Sequence, residues 1–358
     1  MRREDCRRGW GQESGDALTA SDTCLCALVY SRSCPLTRLL SCTCQASYAV
    51  VAGLGACSRE LLRGKHVERR GAAQQSSRLL QHLEYMSGTC RPGTVRCCPS
   101  TRRNPIMSEQ KVIILTGASR GIGLAIAHYL LQRSHKVVAV ARSEQPLRGL
   151  ETQFPGQVAV VTGDAADFAL GEKAVQAAIK HFQRLDGLIV NHGVLDPVKR
   201  VTNSSAEEWR KAYDVNFFSA VAMSQAALPE LRKSRGCILF TSSGAATGAY
   251  PTWGAYGSAK AALNHLAMTL AVEEKEITTL SIRPGVVDTE MQREIRDNHN
   301  TAMDEADAER FAELKKTGGL LKPEQPGNVM ARMAISPPHE LSGKFYSWDA
   351  AELQAFQE

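Results

Sequence analysis

Tyr256 and Lys260 have side-chain types and a spacing that suit proton transfer. They lie four positions apart, which on a helix stacks both side chains on one face, one turn from each other. A phenol has an ordinary pKa of about 10 and is a weak base at neutral pH. A nearby ammonium favours the phenolate, so the pair can move a proton to or from a carbonyl oxygen. Because this spacing is also common in purely structural helices, the assignment needs support from other residues.

Ser243 provides that support thirteen residues before Tyr256, after the apolar run of residues 237–241. Its hydroxyl can hold a substrate oxygen by a hydrogen bond while Tyr256 moves the proton. The neighbouring Ser242 is the alternative for this role.

A glycine-rich turn, Thr116-Gly117-Ala118-Ser119-Arg120-Gly121-Ile122-Gly123, follows the first apolar run. Glycines there let the backbone turn sharply and approach a pyrophosphate, and the helix that begins in this turn directs unpaired N–H groups at it. The spacing G-x-x-x-G-x-G differs from the general dinucleotide fingerprint G-x-G-x-x-G. We interpret the turn as the phosphate-binding element of a dinucleotide site.

The end of the second apolar run predicts which dinucleotide binds. An NAD site usually places Asp or Glu there to bind the ribose 2′-OH, whereas this chain has Ala141-Arg142-Ser143 and no carboxylate before Glu144. Arg142, together with Arg120 in the glycine turn, can pair with a 2′-phosphate. We therefore predict NADPH/NADP rather than NADH as the cofactor.

The elements that position these residues alternate along the chain. Predicted strands cover residues 112–115, 136–141, 158–162, 188–190, 237–241, 279–282 and 343–346, and predicted helices cover 122–132, 171–182, 206–228 and 255–274. This alternation indicates right-handed crossovers and a parallel sheet covered on both faces. The predicted fold class is α/β: a doubly wound Rossmann fold with about seven parallel strands and ligands at the strands' carboxyl ends.

Residues 1–106 differ in composition from the rest. They hold fifteen Arg, one Lys and eight Asp or Glu, a net charge of +8, and ten of the eleven cysteines. Residues 107–358 have a net charge of −2, which gives no reason to expect nucleic acid as a partner. They contain no apolar stretch long enough to span a membrane.

The cysteine-rich segment has no sustained apolar period, so we expect a disordered extension or a start-site artefact with Met107 as the natural first residue. It lacks C-x-x-C spacing, which disfavours zinc, and its early acidic residues disfavour a mitochondrial presequence. A metal or nucleic-acid module stays an alternative. The expected domains are therefore this extension, 1–106, and a Rossmann domain, 107–358.

The Rossmann domain resembles the short-chain dehydrogenases/reductases (SDRs). The shared marks are the T-G-x-x-x-G-I-G turn and six later sites: Asn191-His192-Gly193, Asn216, Ser243, Tyr256, Lys260 and Pro284-Gly285. The resemblance implies that Tyr256 donates the proton and Ser243 orients the carbonyl. It further implies that Lys260 binds the nicotinamide ribose and tunes Tyr256, and that Asn216 holds a water in a relay with Lys260.

The resemblance and the patterns above give these cofactor-binding residues: Gly117, Ser119, Arg120, Gly121, Ile122, Gly123, Arg142, Ser143, Asp164, Asn191, Gly193, Tyr256, Lys260, Pro284, Val287 and Thr289. The sequence departs from the family at His192, where Ala is usual, and at Arg283, where Asn is commoner. We interpret His192 as an altered wall of the site. No histidine shows ligand-like spacing, so no metal is expected.

Residues 242–246, 250–256 and 284–292 are similar to a narrower group, the benzil reductases that form (S)-benzoin, themselves near sepiapterin reductase. The similarity continues through 294–296 and 309–311 to 320–321. This implies reduction of an α-dicarbonyl or aryl ketone. Tyr250 and Trp253 either line an apolar substrate pocket or pack under the loop. The segment of about 288–319 lies where the family carries its substrate lid, and its many charges predict mobility until ligand binds.

The predicted function is NADPH-dependent reduction of a ketone or 1,2-diketone by a cytoplasmic enzyme. The alternatives are a dehydrogenase running toward the ketone and a non-catalytic NADP(H)-binding regulator. The family resemblance also implies a homodimer or homotetramer packed through the helices that carry Asn216 and Tyr256.

Overall fold

Short runs of β-branched and aliphatic residues form a parallel sheet. The computed structural model describes residues 110–357, so the predicted extension lies outside the described residues. Within them the strands are β1 (Val112–Thr116), β2 (Lys136–Ala141), β3 (Val158–Thr162), β4 (Gly187–Val190), β5 (Cys237–Thr241), β6 (Thr278–Arg283) and β7 (Phe345–Ser347). All pairings are parallel, in the order β3-β2-β1-β4-β5-β6-β7. The predicted doubly wound fold with seven strands is confirmed.

Nine α-helices accompany the sheet in residues 110–357. They are α1 (Gly121–Gln132), α2 (Glu144–Gln153), α3 (Leu170–Phe182), α4 (Ala206–Tyr213), α5 (Ser219–Ser234), α6 (Gly254–Glu273), α7 (Glu290–Asp297), α8 (Glu305–Lys316) and α9 (Glu324–Ile335).

Both faces of the sheet are buried, which explains why its strands are apolar without alternation. Along β1, Ile113 and Leu115 face a core formed with α1, α2 and α9. Val112 and Ile114 face the opposite core, formed with α3, α5 and α6. The strand order reverses between β1 and β4, and their carboxyl ends open the crevice in which such folds bind ligands.

The predicted continuous helix over residues 206–228 is wrong in two respects. It is interrupted by a π-helical turn, Asp214–Phe218, and α5 continues through Pro229 to Ser234. A π turn is a single widened turn inside an otherwise helical segment and requires no particular residue type, so the sequence pattern does not reveal it. The proline lacks a helix N–H, but the completely buried side chains of Ala227 and Leu231 hold this part of α5 against the core.

The helices α7, α8 and α9 were not predicted from the sequence, and neither was α2. Pro146 lies in its first turn, where proline is tolerated. Its buried side chains are Leu147 and Leu150, too few to give a clear helical period. Elsewhere the predicted bounds differ from the structure by one or two residues.

Cys237 is buried in β5, and burial raises the pKa of its thiol to about 12, so this cysteine is inert. Among residues 110–357, no helix has the combination of length and apolar character needed to cross a bilayer.

Candidate active site

The predicted site residues surround one cleft of about 570 Å³ at the carboxyl ends of the strands. Those that line it are Gly117, Ser119, Arg120, Gly121, Ile122, Arg142, Ser143, Asp164, Asn191, Gly193, Ser243, Tyr256, Lys260, Pro284, Val287 and Thr289. Gly123 and Asn216 are not among the residues that line the cleft. Sixteen of the predicted site residues thus line one cleft, and their roles stay predictions.

The glycine turn connects β1 to α1 with a backbone that only glycine adopts easily. Gly117 has φ +66° and Gly121 has φ +55°. A Cβ on Gly123 would lie 2.1 Å from the carbonyl oxygen of Gly117, so this glycine is required for packing inside the turn. Within the described residues, no side chain caps the amino end of α1. The turn thus leaves N–H groups free for a phosphate.

The adenosine end of the cleft carries Arg142 and Ser143 from the end of β2. Glu144, the first carboxylate after β2, does not line the cleft; it pairs with Arg148 in α2. Arg120 lines the cleft and pairs with Glu294 of α7 at 3.8 Å. These contacts leave cationic and hydroxyl groups, and no carboxylate, at the end of β2.

Asn191 is fixed between β1 and β5. Its backbone N–H donates to the Thr116 hydroxyl at 2.9 Å, and its side-chain oxygen accepts from the Thr241 hydroxyl at 3.1 Å. Its amide nitrogen lies 3.5 Å from the Gly117 carbonyl oxygen. The residue therefore joins the glycine turn to the middle of the sheet and leaves Gly193 facing the cleft.

Tyr256 reaches the cleft because α6 comes unusually close to the turn after β5. That turn is the short 3₁₀ segment Gly244–Ala246. A Cβ on Gly257 would lie 2.7 Å from the Ala245 carbonyl oxygen, so only glycine permits this approach. The approach brings the phenol of Tyr256 to the hydroxyl of Ser243, with which it interacts.

The two serines after β5 are distinguished by their partners. Ser242 is buried, and its hydroxyl lies 3.5 Å from the Lys260 carbonyl oxygen. The Ser243 hydroxyl accepts from the Ala245 N–H at 3.2 Å and interacts with Tyr256. Both serines line the cleft, and Ser243 is the one that interacts with Tyr256; its role in orienting a substrate oxygen stays a prediction.

Lys260 is buried one turn after Tyr256 and donates from Nζ to the Thr241 carbonyl oxygen at 2.8 Å. Burial disfavours its charged form and lowers the pKa of the ammonium to about 8.

The pKa of Tyr256 moves opposite to the expectation from the sequence. Burial raises the pKa of the phenol, while the interaction with Ser243 acts in the lowering direction. The polypeptide thus keeps Tyr256 protonated at neutral pH, which is the form that donates a proton to a carbonyl oxygen.

Asn216 occupies the centre of the π turn and is almost completely buried. Its side chain makes paired hydrogen bonds of 2.9 Å with the N–H and the carbonyl oxygen of Val194. A Cβ on Gly193 would lie 3.0 Å from the Asn216 side-chain oxygen and 3.4 Å from the Lys260 Nζ. The Asn216 side chain and the lysine therefore meet at Gly193, just behind the cleft wall.

His192 braces the same π turn, a role the sequence did not reveal. Its Nδ1 lies 2.7 Å from the Thr116 hydroxyl, and its Nε2 lies 3.0 Å from the Val215 carbonyl and 2.8 Å from the Ser219 hydroxyl. Since a carbonyl only accepts, we assign the hydrogen to Nε2. Burial lowers the pKa of the imidazole to about 4, so the ring is neutral. The only sign of this role in the sequence is that His192 stands where the family usually has Ala.

An aromatic wall closes the substrate end. Trp253 stacks on Phe311 of α8 with centroids 5.7 Å apart, and it meets the edge of Tyr256 at 6.0 Å. Tyr250 lies 5.0 Å from Trp253. Thr252, between them, has φ +72°, an unusual conformation for a β-branched residue. Tyr250 and Trp253 line the cleft and also pack together, and their contact with a substrate stays a prediction.

The predicted lid range contains α7 and α8. Thr289 caps α7 by accepting from the Gln292 N–H at 3.4 Å. Lys315 near the end of α8 donates to Asp288 at 2.8 Å. These contacts join the two ends of the segment, and its mobility stays a prediction. No cluster of metal-ligating side chains occurs in residues 110–357.

The fold and the cleft together define a Rossmann-type domain whose cleft suits a dinucleotide. The sequence profile of the short chain dehydrogenase family matches residues 111–300. The chain belongs to this family.

Two proteins and one crystal structure show what the chain is similar to. The chain is 43% identical over 243 residues to an uncharacterized oxidoreductase of Schizosaccharomyces pombe. The matched region covers 67% of this chain and 97% of that protein. It is 38% identical over 260 residues to a benzil reductase ((S)-benzoin forming) of Saccharomyces cerevisiae, covering 69% and 99%. The crystal structure of a short chain dehydrogenase/reductase from the same yeast superimposes with a TM-score of 0.68 at 40% identity, covering 69% and 100%.

Proposed function

We propose that this protein is an NADPH-dependent carbonyl reductase acting on ketones or 1,2-diketones. The observation that carries the proposal is the convergence of Ser243, Tyr256 and Lys260 on the cleft wall opposite a cradle built by the glycine turn. The glycine backbone, the uncapped amino end of α1 and the Arg142 side chain fit a dinucleotide phosphate.

Each polar residue of the proposed site has a separate role in the reduction. A bound reduced nicotinamide supplies the hydride. Ser243 holds the carbonyl oxygen by a hydrogen bond, and Tyr256, protonated because burial raises its pKa, donates the proton to that oxygen. The Lys260 ammonium then stabilises the phenolate. Asn216 holds the neighbouring backbone in place behind Lys260, at the position proposed for the proton relay.

The preference for NADPH rests on the absence of a β2 carboxylate from the cleft and the presence of Arg142 in it, among the described residues. The preference for α-dicarbonyl or aryl ketone substrates rests on the aromatic wall and on the similarity to a benzil reductase.

Assembly as a homodimer or homotetramer is part of the proposal. Phe218 in the π turn and Met268 and Val272 on α6 are large apolar side chains that are 43%, 51% and 73% exposed. They lie on the segments expected at the subunit interface. Light scattering of wild type and Met268→Glu/Val272→Glu tests this, with a smaller mass expected for the variant.

We also propose a cytoplasmic location, because the thiol of Cys237 is free and buried as expected in a reducing compartment. Imaging of the tagged chain tests it.

The deciding experiment is NADPH consumption with benzil and 1-phenyl-1,2-propanedione, with chiral analysis of the products. Turnover with both compounds is expected. Tight NADPH binding without turnover of any carbonyl compound would instead identify a regulator. Oxidation of benzoin by NADP without diketone reduction would identify a dehydrogenase.

A further inference from the structure

Two arginines of the described chain have unpaired guanidinium groups. Residues 110–357 contain fourteen arginines, and twelve make a side-chain hydrogen bond or ion pair. The exceptions in this part of the chain are Arg142 and Arg283, and both line the cleft. Arg142 lies at the adenosine end, where the proposed function assigns it a phosphate. Arg283 has no such assignment.

Arg283 lies beside the reacting end of the cleft. It is the last residue of β6, and its carbonyl oxygen accepts from the Trp348 N–H at 2.9 Å, which fixes its backbone. A Cβ on Gly244 would lie 3.2 Å from the Arg283 Nε and 3.4 Å from its Cζ. Gly244 directly follows Ser243, so the guanidinium stem packs against the residue next to the proposed carbonyl-orienting serine.

The acidic side chains of the cleft do not neutralise Arg283. Asp164 and Glu290 line the cleft, but Asp164 accepts from the Ala166 N–H and Glu290 pairs with Arg293. Arg310, on the aromatic wall, donates to the Tyr250 hydroxyl. In the described residues the cleft therefore combines stacked aromatic rings with Arg283, a cation near Ser243 whose guanidinium has no side-chain partner. A guanidinium without a side-chain partner is suited to bind a carboxylate, with which it forms paired charge-assisted hydrogen bonds.

We propose that Arg283 binds the carboxylate of an aryl 2-keto acid. This inference rests on the proposed function and narrows its substrate class. The keto carbon receives the hydride from the reduced nicotinamide, which becomes oxidised, and the keto oxygen takes the proton of Tyr256. The product is the 2-hydroxy acid with its carboxylate unchanged. The aryl group contacts the wall of Tyr250, Trp253 and Phe311.

A matched pair of substrates tests the proposal. Phenylglyoxylate and 1-phenyl-1,2-propanedione share the phenyl ketone and differ in carrying a carboxylate or an acetyl group beside it. Arg283→Gln is expected to lower kcat/KM for phenylglyoxylate about 10-fold or more, because a charge-assisted contact is lost. The same variant is expected to change kcat/KM for the diketone less than about threefold. Arg283→Lys, which keeps the charge without the planar fork, is expected to fall between.

Arg142→Gln is the control, since it removes the other unpaired cation of the cleft. It is expected to leave the ratio of the two substrates' kcat/KM values unchanged. Two results would overturn the inference and place Arg283 against the cofactor. One is that Arg283→Gln lowers kcat/KM equally for both substrates. The other is that Arg283→Gln raises only the KM for NADPH.

Wild-type reduction of the diketone without reduction of phenylglyoxylate would also overturn the inference and leave the proposed function standing. Failure of wild type on every carbonyl compound would remove the proposed function and the inference together.

Discussion

Lys260 follows Tyr256 by one turn of α6, and its Nζ lies 5.7 Å from the centroid of the phenol ring. The lysine is held there by the Thr241 carbonyl oxygen and is shielded from solvent. This arrangement makes the charge on the lysine responsive to pH near neutrality, because burial lowers the pKa of the ammonium to about 8.

The first prediction is that kcat/KM for carbonyl reduction falls as the pH rises through about 8, because the ammonium that stabilises the Tyr256 phenolate is lost. Initial rates at constant ionic strength measure this. Lys260→Met is expected to be slow at every pH and to lack the inflection, with circular dichroism to confirm its folding. A wild-type profile that stays flat well above pH 8 would remove the lysine from the mechanism.

The second prediction concerns cofactor choice. Arg142→Gln is expected to raise the KM for NADPH about 10-fold and leave the KM for NADH nearly unchanged, since only NADPH carries the 2′-phosphate. Arg133→Gln is a matched surface control, because Arg133 packs over the Tyr129 ring outside the cleft. Equal changes for both cofactors, or a native preference for NADH, would contradict the assignment of Arg142.

The third prediction concerns His192 and stability. Its pKa in the folded chain is about 4, below the ordinary 6.5, so the unfolded chain binds more protons between those values. The free energy of unfolding should therefore fall as the pH drops from about 6.5 to 4, by roughly 3 kcal/mol from this residue.

Denaturant unfolding of wild type and His192→Gln measures this difference. The glutamine variant should have a shallower pH dependence, because it keeps hydrogen-bonding atoms without a titrating group. His192→Ala should lose about 2–4 kcal/mol at neutral pH, since it leaves a cavity and unpaired partners. Identical pH slopes for wild type and His192→Gln would show that the imidazole does not titrate on unfolding.

Much of the fold was predictable because strands that are buried on both faces appear in the sequence as continuous runs of apolar residues. The runs at 136–141, 158–162 and 237–241 match β2, β3 and β5 to the residue. Residue spacing likewise located the glycine turn and the Tyr256–Lys260 pair. The π turn at Asn216 was not predictable, because its signal is a side-chain bond to Val194, 22 residues away.

Other features of the site depend on contacts between distant segments. The bond from His192 to Ser219 and the stacking of Trp253 on Phe311 join segments 27 or more residues apart. The raised pKa of Tyr256 follows from burial by the folded chain, which sequence spacing does not encode. The sequence gives the candidate reacting groups, and their burial in the fold sets the direction of their pKa shifts.

The most direct test of the account is the turnover of Tyr256→Phe with NADPH and a 1,2-diketone. Removing one hydroxyl from a buried ring preserves the packing against Trp253 and deletes the proton donor. We expect kcat to fall ~100- to 10,000-fold, the usual contribution of a general acid, while NADPH binding measured by fluorescence titration is retained. A variant that binds NADPH and turns over within a few fold of wild type would contradict it.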